Sequence, residues 1–150
     1  MSELKIVIRD AATDDLPAMA GLMTELGYPV TREQMASRFQ AIDRHADYRT
    51  LVAECDGKVV GMAGLVKGIY YEHDGIYVRV VAFIISSAYR KKGIGLALLE
   101  ACEMWAANLE AATLLLSSGN RDERADAFRF YQSHGFVITS SGFVKKLAER

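Results

Sequence analysis

Apolar and polar residues alternate at the start of the chain, where Leu4, Ile6 and Ile8 fall on one side of "LKIVIRD" and Lys5, Val7 and Arg9 on the other. A period of two predicts a strand with one strongly apolar face. The period then lengthens. Leu16, Met19, Ala20 and Met23 form a stripe at helical spacing, with Thr13 placed as N-cap, Asp14 and Asp15 in the first turn, and Gly27 near the end. Thr31 and Gln34 have the form of a capping box, and Met35, Phe39 and Ile42 follow at helical spacing, which predicts a second helix.

The middle of the chain returns to strands. "TLVAE" and "VVGMAGLVKG" flank Asp56-Gly57, a strong short-range signal for a β-hairpin. "YYEHDGIYVRVVAFII" reads as a turn followed by a long strand, apolar on both faces near its end as a buried central strand should be. From Gly93 the spacing is helical again, with Ile94, Leu98, Ala101 and Trp105 on one face, and "AATLLLSS" is a short buried strand. A last helix is expected from about Asp122 to Ser133, with Gly135 as its C′ residue and "GFVIT" and "GFVKKL" as two terminal strands. This order predicts an α/β (α+β) domain, 1–150, built as a mixed, mostly antiparallel central sheet flanked by helices.

Composition narrows the function. With 150 residues the chain can bury a core without disulfides or metals, and a formal net charge of −1 supplies no global field for nucleic acid or an anionic membrane. Any anion site must be local. Cys55 and Cys102 stand far apart, outside any CxxC or Cys/His ligand spacing, so reduced thiols and no metal are expected. No leader pattern is present and no apolar run approaches the roughly 20 residues of a membrane span, which gives the expectation of a soluble, cytoplasmic protein.

The candidate chemistry lies in "AYRKKGIG", residues 88–95, between the buried strand and the next helix. A helix start offers free backbone N–H groups and a positive dipole end. Gly93 and Gly95 let phosphate oxygens approach the backbone, and Arg90, Lys91 and Lys92 add donors and charge suited to a polyphosphate. No glycine is followed by Lys-Ser or Lys-Thr, which excludes a Walker A loop, and Leu98 stands where a dinucleotide fingerprint needs its third glycine. What matches is R/Q-x-x-G-x-G/A, as Arg90-Lys91-Lys92-Gly93-Ile94-Gly95.

With this motif the chain resembles the GNAT superfamily of acetyl-CoA-dependent N-acetyltransferases. "FIISSAYRKKGIGLALLEACEMWA" is similar to the family's strand, pyrophosphate loop and helix, and "LLLSSGNRDERADAFRFYQSHGF" to its later strand and helix. The resemblance implies acetyl transfer from acetyl-CoA directly to a primary amine of a small molecule or peptide, in a ternary complex. Backbone groups of Phe83, Ile84 and Ile85 would face the pantetheine arm, one strand N–H polarising the thioester carbonyl. The N–H groups from Lys91 through Ile94 to Leu96 would hold the pyrophosphate, Asn120 would contact the cofactor, and Tyr131 would protonate the leaving thiolate. Bland roles stand beside these. Asn120 could be an N-cap with Glu123 three residues on, and Tyr131 a core aromatic beside Phe128 and Phe130.

The chain departs from the family where an amine must be deprotonated. The family's strand Glu is missing, since Arg79 is the only ionisable side chain between Val78 and Ile85. Glu72, with His73 and Asp74, lies in the preceding turn as a weak candidate base or an exposed polar turn; water and backbone carbonyls offer another route. Ser87 replaces the proline often found before the loop. Tyr28, Tyr70, Tyr71 and Tyr77 suggest an aromatic-walled acceptor cleft, and Glu25, Glu72 and Asp74 could attract a cationic amine. The same segments permit a homodimer contact. The alternative function is a non-catalytic acyl-CoA-binding or regulatory module.

Overall fold

The computed structural model describes residues 4–117 and 125–148. The elements run β1 (Ile6–Asp10), α1 (Leu16–Leu26), α2 (Arg32–Asp43), β2 (Tyr48–Cys55), β3 (Lys58–Ile69), β4 (Ile76–Ile85), α3 (Ile94–Asn108), β5 (Thr113–Leu116) and α4 (Ala125–Ser133). Sheet order follows chain order from β1 to β5, and β1 through β4 pair antiparallel. The chain divides into two compact units, residues 1–115 and 116–150.

In the first unit both faces of the sheet are covered. Val52, Met62 and Ile84 form a core with Met19 and Leu22 of α1 and Met35 and Phe39 of α2. Alternation sends Leu51, Ala53, Ala63 and Leu65 to the opposite face, where α3 packs with Ile94, Leu98, Leu99 and Cys102 fully buried. Burial pushes the Cys102 thiol up to about 12, so it stays protonated and behaves as a small apolar side chain. The expected α3 stripe is rotated slightly, because Ala101 and Trp105 are only half-buried and Arg49 lies 5.9 Å over the Trp105 ring.

Local signals explain most boundaries. Asp56 and Gly57 take φ 53° and 85°, the left-handed pair that a two-residue hairpin requires. The Thr31–Gln34 capping box forms, with reciprocal hydrogen bonds of 3.0 and 3.1 Å. At α1 the expected Thr13 cap is displaced by a 3-10 turn, Thr13–Asp15, and the helix begins at Leu16. Asp15 takes over the task. Its carboxylate accepts the Ala12 N–H at 2.8 Å and a two-pronged contact from Arg9 at 2.8 and 2.9 Å, while Arg9 Nε meets Glu54. Hydrogen bonds from Arg9, and then the Ala12 N–H, hold the Asp15 carboxyl below its usual range against the desolvation that would raise it.

In the second unit α4 ends as expected. Gly135 takes φ 93° and the Phe136 N–H reaches back to the Tyr131 carbonyl at 3.1 Å. The two terminal strands expected from "GFVIT" and "GFVKKL" do not occur: residues 136–147 carry no strand, and Phe143 is 95% exposed. Apolar alternation alone does not make a strand, which also needs a hydrogen-bonding partner.

Candidate active site

Where β4 leaves the sheet, the chain is tied down at successive residues. The Ser86 N–H donates to the Val60 carbonyl at 2.7 Å, the Ser87 N–H to Glu25 Oε1 at 2.9 Å, and Arg90 Nε back to the Ile85 carbonyl at 3.2 Å. Glu25 is the α1 residue that reaches across. The Ser87 N–H, the Ser87 and Ser86 hydroxyls and the nearby Arg90 charge hold its carboxyl below the usual range, with desolvation opposing. Sequence reasoning placed Glu25 among groups that attract an acceptor; the structure shows it bracing the loop instead.

After Arg90 the backbone turns through the left-handed region twice, at Lys91 with φ 62° and at Gly93 with φ 83°. For a lysine this conformation costs about 1–2 kcal/mol, so strain is stored at this loop. Gly93 is the N-cap of α3 and offers no side-chain cap, which leaves the first-turn N–H groups without intrahelical partners. A Cβ built on Gly93 meets no atom within 4 Å. The residues from Lys91 to Leu96 thus surround an open helix start, with Arg90, Lys91 and Lys92 exposed around it. Ile94 is different, because its side chain anchors the first turn of α3 in the core.

The strand feeding this loop is irregular. Gly64 pairs with Ala82 and Leu65 with Val80, so Val81 is an extra residue on β4. Such a bulge takes one residue out of the ladder and bends the strand. Beyond it, Phe83, Ile84 and Ile85 pair with Ala63, Met62 and Gly61 of β3. On its other side β4 neighbours β5, which starts where the Ala112 N–H bonds the Ile76 carbonyl. At about 3.3 Å per residue, the four residues of β5 reach roughly 13 Å against some 30 Å for β4.

A cavity of about 210 Å³ opens beside the bulge, between α1, α2 and the sheet. Thr50, Gly64, Val81 and Ala82 form its sheet side, and Met23 of α1 and Arg38 of α2 stand among its helix-side lining. Neither the bulge nor this cavity has a local sequence signature. Both depend on long-range register, and the only hints were Gly64 and the methionines at 19, 23, 35 and 62.

The expected aromatic cleft does not assemble as one wall. Tyr28 is 56% exposed at the end of α1, and Tyr71 is fully exposed in the turn before β4. Tyr70 instead stacks 3.9 Å from His73 and 5.1 Å from Tyr77, and its hydroxyl donates to Thr113 Oγ1 at 2.6 Å. Tyr70 and Tyr71 border a separate groove with Asp47 and Lys67. Glu72 lies in this turn, exposed. Phe83 lies seven steps along β4 from Ile76, next to that turn, about 23 Å along a strand.

In the second unit Tyr131 is half-buried on α4, its ring 5.6 Å from Phe130 and 5.8 Å from Phe136. The His134 ring nitrogen lies 2.8 Å from the Phe130 carbonyl, a helix-end contact. Asn120 lies outside the described residues. Among the described residues no three His, Cys, Asp or Glu side chains converge where a metal could sit, and no helix is long and apolar enough to cross a membrane.

A mixed sheet with helices on its faces and a central strand running into an open helix start is the architecture of solved acetyltransferases. A GNAT family acetyltransferase of Staphylococcus aureus is 32% identical to the chain, with a TM-score of 0.81 over 95% of this chain and 98% of that one. An aminoglycoside N-acetyltransferase crystallised with CoA shares the fold at 18% identity, TM-score 0.83, covering 98% of each chain. A glucosamine-6-phosphate N-acetyltransferase from Arabidopsis thaliana does so at 18% identity, TM-score 0.81, covering 96% of this chain and 99% of that one. Among curated proteins none matches the chain in sequence. The model of the acetyltransferase (GNAT) family matches residues 12–136, and the chain belongs to that family of acyl-CoA-dependent N-acetyltransferases.

Proposed function

We propose that the chain, as one N-acetyltransferase domain, moves the acetyl group of acetyl-CoA directly to a primary amine of a small molecule or peptide within a ternary complex. The observation that carries this reading is the open space over Gly93 at the uncapped start of α3, with strained Lys91 and three basic side chains around it. Backbone N–H groups from Lys91 to Leu96, Gly95 included, would hold the pyrophosphate. The Phe83–Ile85 end of β4 would take the pantetheine arm as a partner strand, and an N–H there would stabilise the thioester oxyanion. The named neighbours include an acetyltransferase of an aminoglycoside and one of glucosamine 6-phosphate, both amine acceptors.

The reaction balances without a metal. The neutral amine attacks the thioester carbon, the tetrahedral intermediate expels the CoA thiolate, Tyr131 protonates that sulfur, and the new amide nitrogen loses a proton to water. Glu72, in the turn before β4 beside Asp74, is the weak candidate base that the sequence offers. The apolar cavity supports another course, because desolvation disfavours an ammonium and selects the free amine before attack. A coupled thiol-release assay over a panel of primary amines tests the function. CoA release above solvent hydrolysis is expected with at least one amine, and Tyr131→Phe should lower kcat by about 10²-fold or more while leaving acetyl-CoA affinity within twofold. Binding of acetyl-CoA with no release for any amine would reduce the chain to an acyl-CoA-binding module.

A further inference from the structure

The cavity beside the β4 bulge has a chemical character that the sequence did not suggest. Among its lining residues Arg38 is the one charged side chain, and no carboxylate is present. Glu25 is engaged by the loop, and Glu72 and Asp74 sit at the other end of β4. Most of the remaining wall is apolar, with methionines at 19, 23, 35 and 62 and Phe39. Thioether side chains repack readily around compact apolar groups. The volume of about 210 Å³ leaves room for an amino-acid-sized group.

Arg38 is exposed and makes no hydrogen bond, ion pair or ring contact among the described residues, unlike Arg9, Arg49, Arg79, Arg90 and Arg129. A guanidinium forks onto a carboxylate with two parallel hydrogen bonds. Arg79 does not join Arg38, since its guanidinium lies 5.9 Å over the Tyr77 ring, outside the cavity lining. With Arg38 as its one charge and no carboxylate, such a pocket suits an anionic group better than a cationic one.

Resting on the acetyltransferase reading above, we infer that the acceptor is a compact amine carrying an apolar body and a carboxylate, with Arg38 reading the carboxylate and the Met-lined cavity taking the apolar body. The amine then points to the bulge at Val81 and Ala82, just before the strand end proposed for the thioester. A free amino acid with an apolar side chain has this chemistry, and a polyamine does not.

Binding and turnover separate the two readings. Calorimetry of the full chain with saturating CoA compares L-phenylalanine, L-methionine and L-leucine with phenethylamine, 3-methylthiopropylamine and isoamylamine, and with spermidine. The carboxylates are expected to bind on the order of tenfold more tightly than their decarboxylated counterparts, and spermidine weakest. Arg38→Gln should collapse that ratio to about one, and Arg38→Lys should restore part of it; circular dichroism checks that both fold. Equal binding of the paired ligands, a preference that survives Arg38→Gln, or no binding by any carboxylate at millimolar concentration overturns the inference. The acetyltransferase reading stands or falls separately, on thiol release with the same amines. Turnover that favours decarboxylated amines or spermidine would support transfer while sinking the carboxylate assignment.

Discussion

Replacing Glu25 by alanine removes the side chain that ties α1 to the loop proposed for pyrophosphate. The Ser87 N–H loses an acceptor at 2.9 Å, and Arg90 loses a nearby negative charge. A hydrogen bond to a charged group contributes about 1.5–3 kcal/mol, but Glu25 lies at the surface, where water replaces it and solvent screens it, so about 1 kcal/mol is the appropriate figure. The loop it braces holds Lys91 in a left-handed conformation that is itself unfavourable. Losing the brace therefore moves the loop away from its binding-competent form. A shift of about 1 kcal/mol corresponds to roughly a fivefold weaker Kd for CoA. Calorimetric titration of Glu25→Ala with CoA, alongside KM for acetyl-CoA, reads this directly. Glu25→Gln keeps an oxygen for Ser87 but not the charge facing Arg90, and should fall between the two. An unchanged Kd in a folded Glu25→Ala protein would show that the loop holds itself and that the α1 contact is incidental.

Two further outcomes follow from the same geometry. Asp15→Asn should destabilise the fold by about 2 kcal/mol in denaturant unfolding at pH 7, less than a fully buried pair would cost, because Arg9 keeps Glu54 and some exposure. Since Asp15 and Glu25 titrate below their unfolded values near 4, their contribution is full above that pH and lost as pH falls through the lower folded values, and Asp15→Asn should flatten this acid limb. Gly93→Ala, placed at φ 83° with open space above it, should cost about 1–2 kcal/mol in stability and weaken CoA binding by tenfold or more; unaltered CoA affinity would move the pyrophosphate elsewhere.

Elements whose signals are local were legible in the sequence, and features created by register were not. The Asp56-Gly57 hairpin, the Thr31–Gln34 cap and the Gly93 helix start each depend on a few adjacent residues. The bulge at Val81 depends on how β3 meets β4, a pairing that no short window of sequence encodes. Asp15 outcompetes Thr13 at α1 because Arg9, six residues earlier on a strand, is placed to hold it. The "GFVIT" and "GFVKKL" segments show the opposite failure, a strand pattern without a strand. The motif marks Arg90 through Leu96 because its signal lies within six adjacent residues, whereas Arg38 meets the cavity only through the packing of α2 on the sheet.

The missing strand carboxylate and the apolar cavity are parts of one arrangement. A buried Glu beside a methionine-rich wall would need a partner to stay ionised, and β4 near the bulge presents Val80, Val81 and Ala82 instead. Without that carboxylate, the wall that admits an apolar body also disfavours the ammonium form of its amine, so substrate selection and amine activation draw on the same desolvation. Arg38 at the rim then acts on the acceptor's carboxylate, and its positive charge beside the neighbouring amine also disfavours the ammonium form. On this reading the departure at β4 is coupled to acceptor choice: a chain without a strand carboxylate is suited to an amine that enters neutral.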